Sequence, residues 1–237
     1  MKVGKLLQLA RERTSWSPLL RTRTAPAVEH LSMLRRFRPD LVVDVGANRG
    51  QFALAAQMSG VREIISFEPV PSEAAIYRRN CANARSVVLH EVALSDAAGE
   101  VILHVTDRPD SSSLLRPGPG QEKAFGIRSS QTIRVETRRL DDVIDQAMLR
   151  GKSSMLKIDV QGAERSVLLG ATGLLSEFTY VYAECSYVEL YERQALANDL
   201  IGFLADHGFS VRGVYNTTET TAFGPTQSDF LFGRAAP

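Results

Sequence analysis

Apolar residues recur at helical spacing at Val3, Leu6, Leu7 and Ala10, and again at Val28, Leu31, Leu34 and Phe37. The first 39 residues therefore predict a helical arm with segments over about 3–13 and 26–37, the second entered at Pro26 and ended by Pro39. From residue 41 the period changes. β-rich runs at 41–45, 63–67, 87–93, 155–158, 180–183 and 209–214 alternate with helix-like stretches at 51–59, 72–83, 141–149, 162–170 and 195–207. That alternation predicts an α/β domain over 40–237, a largely parallel sheet with helices on both faces. Runs at 101–105 and 133–137 read as an inserted hairpin. Their 24-residue connection, 107–130, holds five serines, three prolines and three glycines and suits a lid or substrate loop. A last strand is expected at 229–232.

Composition changes this picture little. With 44% hydrophobic and 23% charged residues the chain can bury a sizeable core. A formal charge of +1 gives no global attraction to nucleic acid or anionic membrane. Residues 1–24 are the exception, with six basic side chains against Glu12. This arm is read as a partner-covering element that packs a homodimer, with lipid headgroups or a polyanion as the alternative. Two cysteines, Cys81 and Cys185, are too few for a disulfide framework or a thiolate zinc site, and no apolar run approaches the ~18 residues of a membrane span. A cytoplasmic protein without integral membrane association is expected.

The chemistry concentrates at strand ends. The stretch from Val42 to Phe52 runs from an apolar strand through Asp44, Gly46, Ala47, Asn48 and Gly50 into a helix. Glycines here bring backbone close to a ligand, and the helix start offers unpaired N–H groups. Asn48 stands where a dinucleotide fingerprint needs glycine, which disfavours nicotinamide or flavin and favours a ligand with a carboxylate. Glu68, followed by Pro69, ends the next strand, 24 residues after Asp44, and is placed to accept both hydroxyls of a ribose. Ala93 and Leu94 offer a flat surface to an adenine, with Ser95 beyond.

Asp159 ends a fourth strand and flanks, with Asp44, the point where strand order reverses. If the final strand is antiparallel and lies beside 180–183, Asp159, Glu184 and Asp229 converge. Three such carboxylates would repel unless one holds a proton or all share a cation, and oxygen ligands suit Mg²⁺. Helix capping, or pairing with Lys157, is the competing reading. His30, on a helix, reads as structural, as do His90 and His207, while His104, beside the 107–130 loop, is placed to act as a base.

The strings VDVGANRGQF, SFEPVPS, VALSDAAGEV, RRLDDVID, KIDVQGAE and QSDFLF, in this order across about 40–233, resemble the FkbM family of S-adenosylmethionine-dependent methyltransferases. The resemblance implies a Rossmann-like, seven-stranded class I methyltransferase sheet with its last strand antiparallel. It also implies O-methylation of a small hydroxylated acceptor, a sugar or a glycosylated or lipid-linked natural product, and no nucleic acid. Asp44, Gly46, Ala47, Asn48, Gly50 and Phe52 would then hold the methionine side of the cofactor, Glu68 and Pro69 the ribose, Ala93, Leu94 and Ser95 the adenine, with Asp159 at the reacting edge. The family's string at 159–164 resembles D-V-E-G-A-E; this chain has Gln161 and so loses a charge there. The expected mechanism has Asp159 and Glu184, joined by Asp229, hold a cation that polarises the acceptor hydroxyl, the alternative being a carboxylate or His104 as direct base. A binding module without catalysis is the other class; glycine turn, ribose acid and edge acids together favour the enzyme.

Overall fold

The computed structural model describes residues 22–234 except Asn83 and Arg85, so the helix expected over 3–13 lies outside the described residues. A 3-10 turn (Val28–His30) leads into α1 (Leu31–Phe37). There follow β1 (Leu41–Val45), α2 (Gln51–Met58), β2 (Glu63–Phe67), α3 (Pro71–Asn80), β3 (Val87–His90), β4 (Ala93–Leu94) and β5 (Gly99–Thr106). The second half runs α4 (Pro119–Phe125), β6 (Ser129–Arg138), α5 (Leu140–Val143), β7 (Ser154–Ile158), α6 (Glu164–Leu169), β8 (Tyr180–Ser186), α7 (Ala197–Asp206), β9 (Phe209–Thr220) and β10 (Gly224–Arg234).

Seven strands form one sheet in the order β3-β2-β1-β7-β8-β10-β9. The first five are parallel, and β10 pairs antiparallel with both β8 and β9. The expected α/β class and antiparallel last strand are both present. Strand order reverses between β1 and β7, which puts the ligand crevice of such a sheet at their carboxyl ends.

Period two along the strands sorts the apolar residues into two cores. Val43, Val45, Ile65, Phe67, Leu156 and Ile158 meet α5, α6 and α7 through Leu140, Val167, Leu168, Leu200 and Leu204. Val42, Ile64, Met155, Tyr182 and Leu231 point the other way, onto α1, α2 and α3 through Leu34, Phe52 and Tyr77. Ala27, Val28, Leu31 and Met33 share that second core, so packing shows no break at residue 39.

Four elements differ from expectation, each for a local reason. The run at 87–93 divides, because the chain leaves the sheet edge after His90 and Ala93 and Leu94 pair with Thr137 and Arg138 of β6 in a separate three-stranded sheet. The connection 107–130 carries α4 and a 3-10 turn at Pro109–Ser111. The helix expected at 141–149 stops after one turn, and Asp145 caps a new 3-10 turn by accepting from the Ala147 amide. β9 and β10 extend past 214 and before 229 through polar pairs such as Thr218 with Gln227, which carry no apolar period.

Leu34 is fully buried between α1 and the sheet. Leu34→Ala is expected to cost about 2–5 kcal/mol in urea unfolding, whereas a detachable arm would lose almost nothing.

Candidate active site

Asp44 and Lys157 are partners in the β1–β7 register, and Lys157 Nζ lies 2.9 Å from Asp44 Oδ1. Both side chains are buried. The ammonium also donates to the carbonyls of Gly46 (2.9 Å) and Val45 (3.3 Å), with Asp159 Oδ2 at 4.0 Å. Burial alone would drive Lys157 down, but Asp44 and Asp159 outweigh it and hold the ammonium above its ordinary value. Asp44 thus anchors the glycine turn from beneath and does not line the cavity, a correction to its expected contact with the cofactor.

The turn has a left-handed backbone at Gly46 and Asn48 (φ +75° and +47°). At Gly46 the demand is steric: a Cβ would stand 1.9 Å from the Asp159 carbonyl, so the glycine admits a neighbouring strand end as well as a ligand. Asn48 tolerates that conformation and sends its N–H to Glu68 Oε2 at 2.8 Å. The other Glu68 oxygen accepts from the Val70 amide at 2.8 Å. Each oxygen keeps a second lone pair, so two hydroxyls can still be accepted. Burial pushes Glu68 up to about 7 against the pull of those two amides.

A cavity of about 300 Å³ opens over this edge. Gly46, Ala47, Asn48, Phe52, Glu68, Pro69, Ala93, Leu94 and Asp159, all singled out in the sequence, line it. Gly50 and Ser95 lie outside its lining: Gly50 caps α2 with φ +86° against the Tyr77 ring, and the Ser95 amide is taken by the Arg138 carbonyl of the small sheet. From 107–130 only Asp110, Ser112, Ser113 and Leu114 reach the cavity; α4 instead packs on 189–190, where a Gly120 Cβ would meet the Glu189 carbonyl at 2.0 Å.

Asp159, Glu184 and Asp229 do meet at one edge, with Asp229 directly opposite Glu184 on the neighbouring strand. Their oxygens are taken up by neutral donors. Gln161 Nε2 donates to Asp159 Oδ1 (2.7 Å) and to Glu184 Oε2 (2.9 Å), and Gln227 takes the other Glu184 oxygen. Asp229 Oδ2 accepts from Asn216 Nδ2 (2.8 Å) and Tyr182 Oη (3.1 Å). Among the described residues no three His, Cys, Asp or Glu are grouped to hold a metal. The physical reason is that amide and hydroxyl donors relieve the repulsion that the expected Mg²⁺ was invoked to relieve. Burial and the charges of Asp159 and Asp229 hold the Glu184 carboxyl well above its usual range, and burial pushes Asp229 up to about 6.

His104 is also corrected as a base. It sits on β5, exchanging backbone hydrogen bonds with Ser113, while its neighbour Leu103 turns to the cavity, because adjacent strand residues face opposite sides. The histidine that lines the cavity is His30, read from sequence as structural. Helical period places it beside the buried face of α1 but carries no sign of the strand ends that α1 crosses.

A cavity at the switch point of this sheet, with an acid on each side of the reversal, is the ligand site of a class I methyltransferase. Comparison with known proteins identifies the family. The model of the methyltransferase FkbM domain matches residues 44–211, and the chain belongs to that family. It is an S-adenosylmethionine-dependent methyltransferase. It is 31% identical over 205 residues to 2-O-methyltransferase NoeI of Sinorhizobium fredii, covering 82% of this chain and 84% of that one. It is 28% identical over 200 residues to 31-O-demethyl-FK506 methyltransferase FkbM of Streptomyces tacrolimicus, covering 73% of each. The fold is similar to that of TehB from Haemophilus influenzae, with a TM-score of 0.52 at 8% identity over 94% of this chain and 67% of that one. Among the described residues no helix is long and apolar enough to cross a membrane.

Glu68 and the buried Glu164 both sit near 7 against an ordinary 4.5. Between those values the folded chain holds protons that the unfolded chain has released, so their contribution to stability is present below about 4.5 and lost as pH rises through about 7. Glu68→Gln removes the titration at the cost of one amide hydrogen bond, because its Nε2 cannot accept from the Asn48 or Val70 N–H, so its stability relative to the parent should rise by about 1–3 kcal/mol between pH 5 and pH 8 in urea titrations. An equal difference at both pH values would show that burial does not govern Glu68.

Proposed function

We propose that this protein moves the methyl group of S-adenosylmethionine to a hydroxyl of a small acceptor, a sugar or a glycosylated or lipid-linked natural product. The observation that carries this reading is one cavity with Glu68 at one side of the strand reversal and the bridged pair Asp159 and Glu184 at the other. Two relatives named as acting on oxygen support the choice of atom. The residues present fit the cofactor: Glu68, each of whose oxygens takes only one amide, would accept the ribose hydroxyls, Ala93 and Leu94 would flank the adenine, and the turn at Gly46–Asn48 would meet the methionine end. A volume of about 300 Å³ lies at the small end of ligand cavities, ~300–1,000 Å³.

Transfer needs the acceptor oxygen in line with the methyl at roughly 3–3.5 Å. Asp159 and Glu184, bridged by Gln161, are the groups that hold the acceptor there, by accepting from the hydroxyls that neighbour the reacting one. Near-neutral charge overall argues against nucleic acid as acceptor. Two buried free cysteines suit a reducing, cytoplasmic setting.

A panel of sugars, glycosides and other hydroxylated acceptors, followed by S-adenosylhomocysteine release, tests the assignment. Turnover on a glycoside is expected; turnover on amines or RNA alone would refute it. Calorimetry on Glu68→Gln should show at least tenfold weaker cofactor binding, since hydrogen bonds to a charged group contribute about 1.5–3 kcal/mol each. Asp159→Asn and Glu184→Gln should keep that affinity while turnover falls at least tenfold; a retained rate would remove both from the reaction.

A further inference from the structure

His30, Tyr182 and Asp229 line the same cavity as Asp159 and Glu184, although they come from the N-terminal turn, β8 and β10. His30 Nδ1 lies 2.9 Å from Tyr182 Oη, and that hydroxyl donates to Asp229 Oδ2 at 3.1 Å. Asn216 Nδ2 donates to the same carboxylate oxygen at 2.8 Å and stands 3.2 Å from Nδ1. Asp229 itself is 3.7 Å from Nδ1. The imidazole is set edge-on to the Tyr182 ring and tilted against Phe52, with centroids 5.5 and 5.2 Å away.

We propose that His30 takes the proton of the acceptor hydroxyl, with Tyr182 and Asp229 as the positioning residues behind it; this rests on the methyl-transfer reading above. Tyr182 gives its one proton to Asp229, so its oxygen pairs with Nδ1 by accepting an N–H there, while Asn216 turns its two amide hydrogens to Asp229 and, at 3.4 Å, to the Tyr182 oxygen. That tautomer puts the basic lone pair of the ring on Nε2. A buried carboxylate that holds the tautomer and faces the imidazolium is the logic of the serine-hydrolase triad, here with a tyrosine interposed. An imidazole is also a stronger base than any carboxylate of this edge in its ordinary state. In the step, a lone pair of the acceptor oxygen forms the new O–CH₃ bond. The S–CH₃ bonding pair returns to sulfur, giving neutral S-adenosylhomocysteine, and the hydroxyl proton passes to Nε2, to be released later to water.

The test compares His30→Gln, Tyr182→Phe and Asp229→Asn with the parent, using methyl glycosides of common hexoses as acceptors and calorimetry with S-adenosylmethionine. His30→Gln should lose about 100-fold in kcat with cofactor affinity and acceptor KM within about twofold of the parent. Tyr182→Phe and Asp229→Asn should lose about tenfold in kcat, again with KM unchanged, which loosened packing would not produce. Added imidazole should restore part of the rate of a folded His30→Gly, checked by its melting curve. Full kcat in His30→Gln overturns the proposal alone, and so does a loss of its cofactor affinity, which would make His30 a cofactor ligand. A parent that binds the cofactor but methylates amines and no glycoside overturns the functional reading and this proposal together.

Discussion

The site depends on one buried ion pair. Asp44 and Lys157 face each other across β1 and β7, the two strands between which the sheet reverses. An unpaired ammonium there would cost several kcal/mol, so the fold that buries Lys157 must also supply its partners. It does so with one carboxylate and two carbonyls of the glycine turn, and that choice fixes the turn. Gly46 then approaches the Asp159 carbonyl too closely for any side chain, and the Asp159 amide donates to the Val45 carbonyl at 3.1 Å. The glycine turn and the end of the Asp159 strand are thereby tied to each other through the backbone.

The acidic edge solves a second electrostatic problem differently. The repulsion among Glu184 and its neighbours is relieved by neutral donors, and by a proton that burial makes easier for Glu184 to keep. Gln161 is the central donor. Its backbone is left-handed, at φ +56°, a conformation that costs a non-glycine residue of order 1 kcal/mol or more. Its amide nitrogen is shared by Asp159 and Glu184, and its oxygen accepts from Tyr191, which is itself tied to Gln121 and the Ser111 carbonyl. A glutamate, the residue that the family string resembles, could not donate to both carboxylates while ionised. The charge lost at 161 is what puts a shared donor between these two carboxylates.

Much of this was legible before the fold was known, and what was hidden follows a rule. Apolar runs and glycine turns are local, so β1, β2, β7 and β8, Glu68 and the edge acids could be placed from spacing alone. The roles of Asp44 and Lys157 depended on register, which two apolar strands of five residues do not specify from sequence. His30 lines the cavity and His104 does not for a similar reason: which face a strand residue takes, and what a helix crosses, are set by packing partners remote in sequence. Polar strand extensions such as 215–220 were invisible because nothing apolar marked them.

The two sides of the cavity are also built by different forces. On the cofactor side the lining residues belong to strand ends and turns held by backbone ladders and the buried ion pair. On the other side they come from 27–30, 110–114, 182–184 and 229, segments far apart in sequence that side-chain hydrogen bonds of Tyr182, Asn216 and Tyr191 tie together over the β8–β10 ladder. Such contacts can be exchanged singly without disturbing strand register or the Asp44–Lys157 pair. A fold arranged this way can keep one side of its cavity fixed while single side chains on the other are exchanged.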